Sequence, residues 1–154
     1  MVPETGKTVS DFTLKSSVGE DISLTELVAD GKVLLLFFPL AFSDVCTEEL
    51  RVIRNNMKFY DAVNTKVAAI SVDSFFTLRE LKKANNLNFL LLSDFNKKVS
   101  AQLDCLYDDY FGLKGVSKRG AFVINKNFKI EYAEVLENSE MLPDFKAIQK
   151  VLQK

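Results

Sequence analysis

Lys32-Val-Leu-Leu-Leu-Phe-Phe38-Pro39-Leu-Ala-Phe-Ser43-Asp-Val-Cys46 changes character at its midpoint. After Lys32 the run to Phe38 is wholly apolar, which is how a central strand of a parallel sheet reads when both its faces are buried. Pro39 closes the run. Beyond it, Leu50, Ile53, Met57 and Tyr60 recur at helical spacing with charges between them, so residues 45–60 read as one amphipathic helix. The junction therefore joins the carboxyl end of a buried strand to the start of a helix. Open α/β sheets place their sites at that edge.

Working outward, Asp11-Phe-Thr-Leu-Lys15 and Asp21-Ile-Ser-Leu24 alternate apolar and polar residues around a turn-like spacer, an N-terminal β-hairpin. Lys66-Val-Ala-Ala-Ile-Ser71 and Phe89-Leu-Leu-Leu92 are further buried strands. Residues 74–85 read as a helix with Thr77 and Glu80 in a capping-box arrangement, and residues 96–103 as a short helix. Ala121-Phe-Val-Ile124 and residues 129–135 flank Asn125-Lys-Asn127 as a second hairpin, and Pro143 opens a last helix with Phe145, Ile148, Val151 and Leu152 inward. Alternating strands and helices predict an α/β chain with helices on both faces of the sheet, and the trailing hairpin makes that sheet mixed. This is the three-layer layout of thioredoxin-like folds and not of flavodoxin-like ones. With no repeat or linker-like break, residues 1–154 read as a single domain.

Composition narrows the chemistry. The 154 residues contain no histidine, which removes Ser-His-Asp and Cys-His catalysis and histidine-ligated metals. The two cysteines cannot complete a four-thiolate zinc site and make a poor disulfide framework, so no metal is expected and the thiols suit a reducing compartment. A net charge of −1 supplies no basic field for nucleic acid or an anionic membrane. The near-continuous apolar stretch from Val33 to Phe42 is too short to span a bilayer. MVPETGKTVS at the start has no apolar core of the secretory kind, and the expectation is a cytoplasmic protein.

Cys46 lies in the first turn of the helix, where unpaired backbone N–H groups and the positive end of the dipole favour thiolate over thiol. Pro39, without an N–H and with fixed φ, can shape and shield a pocket, and Ser43 can aim a hydroxyl at the sulfur. The bland alternative is an inert buried cysteine beside a capping serine.

Pro39, Ser43 and Cys46 at these intervals, followed by Glu49, resemble the signature of the peroxiredoxins, the alkyl hydroperoxide reductase and thiol-specific antioxidant family. The likeness continues through Ser10-Asp11-Phe12, Ile70-Ser-Val-Asp73, Leu91-Leu-Ser-Asp94 and Lys118-Arg119-Gly-Ala-Phe-Val-Ile124. Residues 37–42 are most similar to the one-cysteine branch, alkyl hydroperoxide reductase E. The resemblance implies a thiol-dependent peroxidase that needs no cofactor. Cys46 would be the nucleophile, Arg119 would stabilise the thiolate and bond peroxide oxygen, and Ser43 with the Cys46 N–H would complete the cradle. Glu49 would pair with an arginine of the site. The implied partners are hydrogen peroxide or an organic hydroperoxide, an external thiol such as thioredoxin, glutaredoxin or a small thiol, and a second copy meeting near Phe42. Exposed arginines usually form surface ion pairs, and that reading of Arg119 stays open here.

Cys105 does not fall where two-cysteine relatives carry a resolving thiol. It reads as a half-buried strand cysteine, with a resolving role as the alternative. Two other functions compete. A thioredoxin-type disulfide reductase would want a second cysteine at position 49, where glutamate stands, and a noncatalytic or chaperone module could retain the same shell. A nucleotide binder would need a glycine-rich phosphate loop, and the sequence has none.

Overall fold

The computed structural model describes residues 3–154, so the first two residues of the opening stretch MVPETGKTVS lie outside it. In chain order the elements are β1 (Thr13–Ser16), β2 (Asp21–Ser23), α1 (Leu24–Leu27), β3 (Lys32–Phe37), α2 (Asp44–Asn55), α3 (Met57–Ala62) and β4 (Thr65–Ser71). There follow α4 (Phe75–Asn85), β5 (Leu90–Ser93), α5 (Lys98–Gln102), β6 (Arg119–Ile124), β7 (Ile130–Leu136) and α6 (Phe145–Leu152). The strands form one seven-stranded sheet in the order β2-β1-β5-β4-β3-β6-β7. The expected mixed sheet is present. β3, β4 and β5 run parallel, while β6 lies antiparallel to β3, β7 to β6 and β1 to β5.

The apolar run that decided the fold is an interior strand, buried because it has neighbours on both edges and layers on both faces. Val33, Leu35 and Phe37 point into a core closed by Leu24 and Leu27 of α1 and by Val99 near α5's start. Leu34, Leu36 and Phe38 point the other way, against Leu50 and Ile53 of α2, Leu78 and Leu81 of α4, and Ile148 and Leu152 of α6. All six side chains are fully buried, each contributing about 1.5–3 kcal/mol relative to exposure.

Local chemistry moves several boundaries. The expected helix over residues 45–60 is two helices, α2 and α3. Asn56 breaks it: its Nδ2 donates to the Val52 carbonyl (2.9 Å) and its backbone N–H to Ile53 (3.0 Å), displacing the regular i−4 bond. The cap of α4 is Ser74, whose Oγ accepts from the Thr77 N–H, so the cap lies three residues before the expected Thr77. Pro143 precedes the last helix and does not open it; Asp144 is its N-cap and accepts from Ala147 N. Leu24 does not extend the second strand but begins α1, because Ser23 and Glu26 form a reciprocal capping box.

Candidate active site

β3 ends in the loop 38–43, and that loop delivers Cys46 to the first turns of α2. Phe38 N–H donates to Ile70 O (3.0 Å), extending the parallel pairing by one bond before the buried Pro39 turns the chain away. Asp73, at the end of the neighbouring strand, then accepts from the Ala41 N–H (2.8 Å) and from Ser71 Oγ (2.7 Å). The loop is thus pinned to β4 by a carboxylate. Phe42 takes φ of 68°, a conformation a bulky residue holds only when its surroundings impose it, and is 53% exposed.

From β6, antiparallel to β3, the first residue reaches back over this turn. Arg119 Nη2 donates to Cys46 Sγ at 3.2 Å, and Nη1 pairs with Glu49 Oε1 at 2.7 Å. Glu49 lies one helical turn beyond Cys46 on α2, so one face of that helix presents both the sulfur and the carboxylate. Cys46 is 2% exposed, Arg119 1% and Glu49 fully buried. The surface ion-pair reading of Arg119 is therefore wrong: the guanidinium is inside the protein and its partners are the thiol and the helix carboxylate.

The charge balance is close. Burial pushes the Glu49 carboxyl from its ordinary 4.5 up to about 7, against the opposing pull of Arg119 and with a smaller push from Glu134. Its second oxygen, Oε2, has no hydrogen-bond partner among the described residues. Burial also disfavours the charged form of Arg119, but Glu49 and Cys46 more than offset it and hold the guanidinium above its usual value. A fixed cation, bonded to sulfur on one side and to a carboxyl at the edge of ionisation on the other, is the result.

The remaining expected residues fall as follows. Ser43 is half-buried and occupies the N-cap position of α2, but its side chain makes no capping bond; Oγ donates to Leu40 O (2.7 Å). Cys105 is fully buried in the loop before β6, not half-buried in a strand. Its sulfur packs into the core face that holds Val33, Leu35 and Phe37, whereas Cys46 belongs to the opposite face. Burial pushes its thiol up to about 12, and Sγ donates to Lys118 O (3.3 Å). Two participants went unread in the sequence: Asp73, singled out there only as a strand end, and Ser139, whose carbonyl accepts from Arg119 Nε (3.2 Å) and Nη2 (2.8 Å). A backbone acceptor leaves no signature in side-chain pattern. Among the described residues no cluster of three or more Cys, Asp or Glu side chains is arranged to hold a metal ion, and no helix is long and apolar enough to cross a membrane.

Comparison with known proteins places the whole chain. The alkyl hydroperoxide reductase E of Mycobacterium tuberculosis is 30% identical over 136 residues, covering 88% of each chain. The chloroplastic 2-Cys peroxiredoxin BAS1 of Spinacia oleracea is 28% identical over 144 residues; the match takes in 87% of this chain but spans only about half, 53%, of the spinach protein. The crystal structure of the peroxidoxin BcpB of Mycobacterium tuberculosis superimposes with a TM-score of 0.87 at 29% identity, covering 97% of this chain and 96% of that one. The AhpC/TSA family profile matches residues 5–133, from before β1 into β7. The chain that places Arg119 on Cys46 belongs to the AhpC/TSA family, the peroxiredoxins.

Proposed function

We propose that this chain is a thiol-dependent peroxidase in which Cys46 reduces hydrogen peroxide or an organic hydroperoxide and is restored by an external thiol. The observation that carries the reading is the 3.2 Å bond from Arg119 Nη2 to Cys46 Sγ. It sets a permanent cation where negative charge resides on sulfur and where charge develops on peroxide oxygen. The thiolate attacks the terminal peroxide oxygen and the O–O bond breaks. The electron pair leaves with the distal oxygen, which takes a proton and departs as water or an alcohol. Cys46 is left as the sulfenic acid. An incoming thiol condenses with it, releasing water and forming a mixed disulfide, and a second thiol frees the Cys46 thiolate as the reductant leaves as its own disulfide.

Each neighbour has a part in that sequence. Ser43, whose O–H donates a hydrogen bond to Leu40 O, has its lone pairs free to accept from the O–H of a bound peroxide. Pro39, buried and without an N–H, walls the turn without competing for the peroxide's hydrogen bonds. Glu49 holds the far amine of the guanidinium. The reductant is a thioredoxin, a glutaredoxin or a small thiol, in keeping with a Drosophila melanogaster relative named as a thioredoxin-dependent peroxide reductase. External resolution is favoured over Cys105 because the two sulfurs pack on opposite faces of the sheet and Cys105 is held as a neutral thiol.

Intact-mass analysis after one equivalent of peroxide tests this reading. The expected product is Cys46 sulfenic acid or its trapped adduct, equally in wild type and Cys105→Ser, and absent in Cys46→Ser. Loss of two hydrogens that disappears in Cys105→Ser would overturn external resolution, and reaction no faster than that of a free thiol would overturn the peroxidase.

A further inference from the structure

Arg119 is anchored at three points, and two of them, Cys46 and Glu49, belong to α2. The third is the Ser139 carbonyl, which accepts from both Nε and Nη2. Ser139 lies beyond the end of β7, whose last paired residue, Leu136, already faces Arg119. The sheet therefore does not fix that carbonyl. Beside the local turn in which Asn138 Oδ1 accepts from the Glu140 N–H (3.0 Å) and Asn138 O from the Met141 N–H (3.1 Å), three side chains from the segment just before β6 hold it. Tyr107 OH donates to Glu137 O (2.7 Å), Tyr110 OH donates to Ser139 Oγ (3.0 Å), and Lys118 Nζ pairs with the Glu137 carboxylate.

The two rings are themselves set. They stack at 4.8 Å between centroids with an interplanar angle of 22°. Their backbones are tied by Tyr107 N–H to Val116 O (2.8 Å) and by the reciprocal bonds between Tyr110 and Leu113 (2.8 and 2.9 Å). Gly115, at φ of 71°, lets this small loop fold back on itself.

We propose that Tyr107 and Tyr110 are positioning residues for Arg119: their hydroxyls clamp residues 137–139 so that the Ser139 carbonyl faces the guanidinium and holds Nη2 on Cys46 Sγ. A guanidinium is a planar fork with donors in fixed directions, so anchoring both ends orients the whole plane. Glu49 anchors Nη1, and Ser139 O anchors the Nε–Nη2 edge. With the second anchor loosened, the plane hinges about its bond to Glu49 and the donor leaves the sulfur. The catalytic consequence rests on the peroxidase reading; the positioning itself does not.

Tyr107→Phe, Tyr110→Phe and the double variant test it, since each deletes a hydroxyl and keeps the stacked rings. Two readouts are needed. Solvent exchange of the Arg119 Nε proton, followed by 15N NMR on the reduced protein, is expected to quicken about tenfold in either single variant and further in the double. The second-order rate of Cys46 oxidation by peroxide, read by rapid quench and intact mass, is expected to fall about fivefold to tenfold, the scale of one lost hydrogen bond. Added to Arg119→Gln, Tyr110→Phe should give no further loss of rate. Unchanged Nε–H exchange in the double variant would overturn the proposal, as would a rate loss of equal size in the Arg119→Gln background. Should the wild type not react with peroxide, the exchange measurement still decides whether the clamp exists, and the peroxidase reading alone falls.

Discussion

Glu49→Gln, made in a Cys46→Ser background so that one group of the cluster is varied at a time, isolates the buried carboxyl. In the folded chain Glu49 gives up its proton at about pH 7, against 4.5 for the ordinary carboxyl. Between those values the folded state holds a proton that the unfolded state lacks, so unfolding releases it and stability falls as pH rises. The stabilising contribution is complete below about pH 4.5 and is lost as pH climbs through about 7; above that, the curve is flat with respect to this group. At 1.36 kcal/mol per pH unit the span is worth up to about 3 kcal/mol. Glutamine keeps the shape and the acceptor facing Arg119 Nη1 but cannot titrate. The expected result of urea unfolding at half-unit steps from pH 4.5 to 8 is a difference between parent and variant that drifts by about 2–3 kcal/mol against the parent and then levels. Parallel stability curves, or a drift of the opposite sign, would refute the claim that burial outweighs the Arg119 ion pair at this site.

Three further outcomes are expected. A methyl group at Gly120 would meet Cys105 Sγ at 2.9 Å and Glu134 O at 3.3 Å. Gly120→Ala should therefore cost about 1–3 kcal/mol by overpacking, and Cys105→Ala should return much of it, as a double-mutant cycle of urea midpoints would show. Asp73→Ala removes the acceptor of the Ala41 N–H; Cys46 oxidation by peroxide, followed by quench and mass, should slow about tenfold while stability drops by about 1–3 kcal/mol. Phe42, exposed on the turn before α2, should sit at a contact between two copies. Light scattering at micromolar protein should give a dimer for the wild type and a monomer for Phe42→Lys.

Much of this site was legible because it depends on residue type at short range. An apolar run stopped by Pro39, a helix begun at Ser43 and a cysteine in its first turn define the strand-to-helix junction, and the family likeness supplied Arg119 from far along the chain. Glu49 was readable as an arginine partner, but its complete burial was not, because that depends on β6 bringing Arg119 back over α2 from far along the chain. The break at Asn56 turns on one side chain competing for the Val52 carbonyl, a choice that apolar periodicity does not encode. Cys105 was misplaced for a related reason: it sits in a loop whose burial comes from Ser117 and Lys118 folding over it, not from alternation along a strand. The pairing of β1 with β5 and the carbonyl of Ser139 are long-range outcomes with no local pattern to announce them.

The placement of the two sulfurs on opposite sides of the sheet turns the chain into its own recording instrument. On the peroxidase reading proposed above, Cys46 answers to small electrophiles through the native state, while Cys105, walled in beneath Gly120, answers only when the layer above it opens. A timed pulse of thiol label, resolved by which peptide carries it, therefore counts chemistry on one cysteine and unfolding on the other in a single sample. Damage to the catalyst and collapse of the fold become separately countable without any engineered probe.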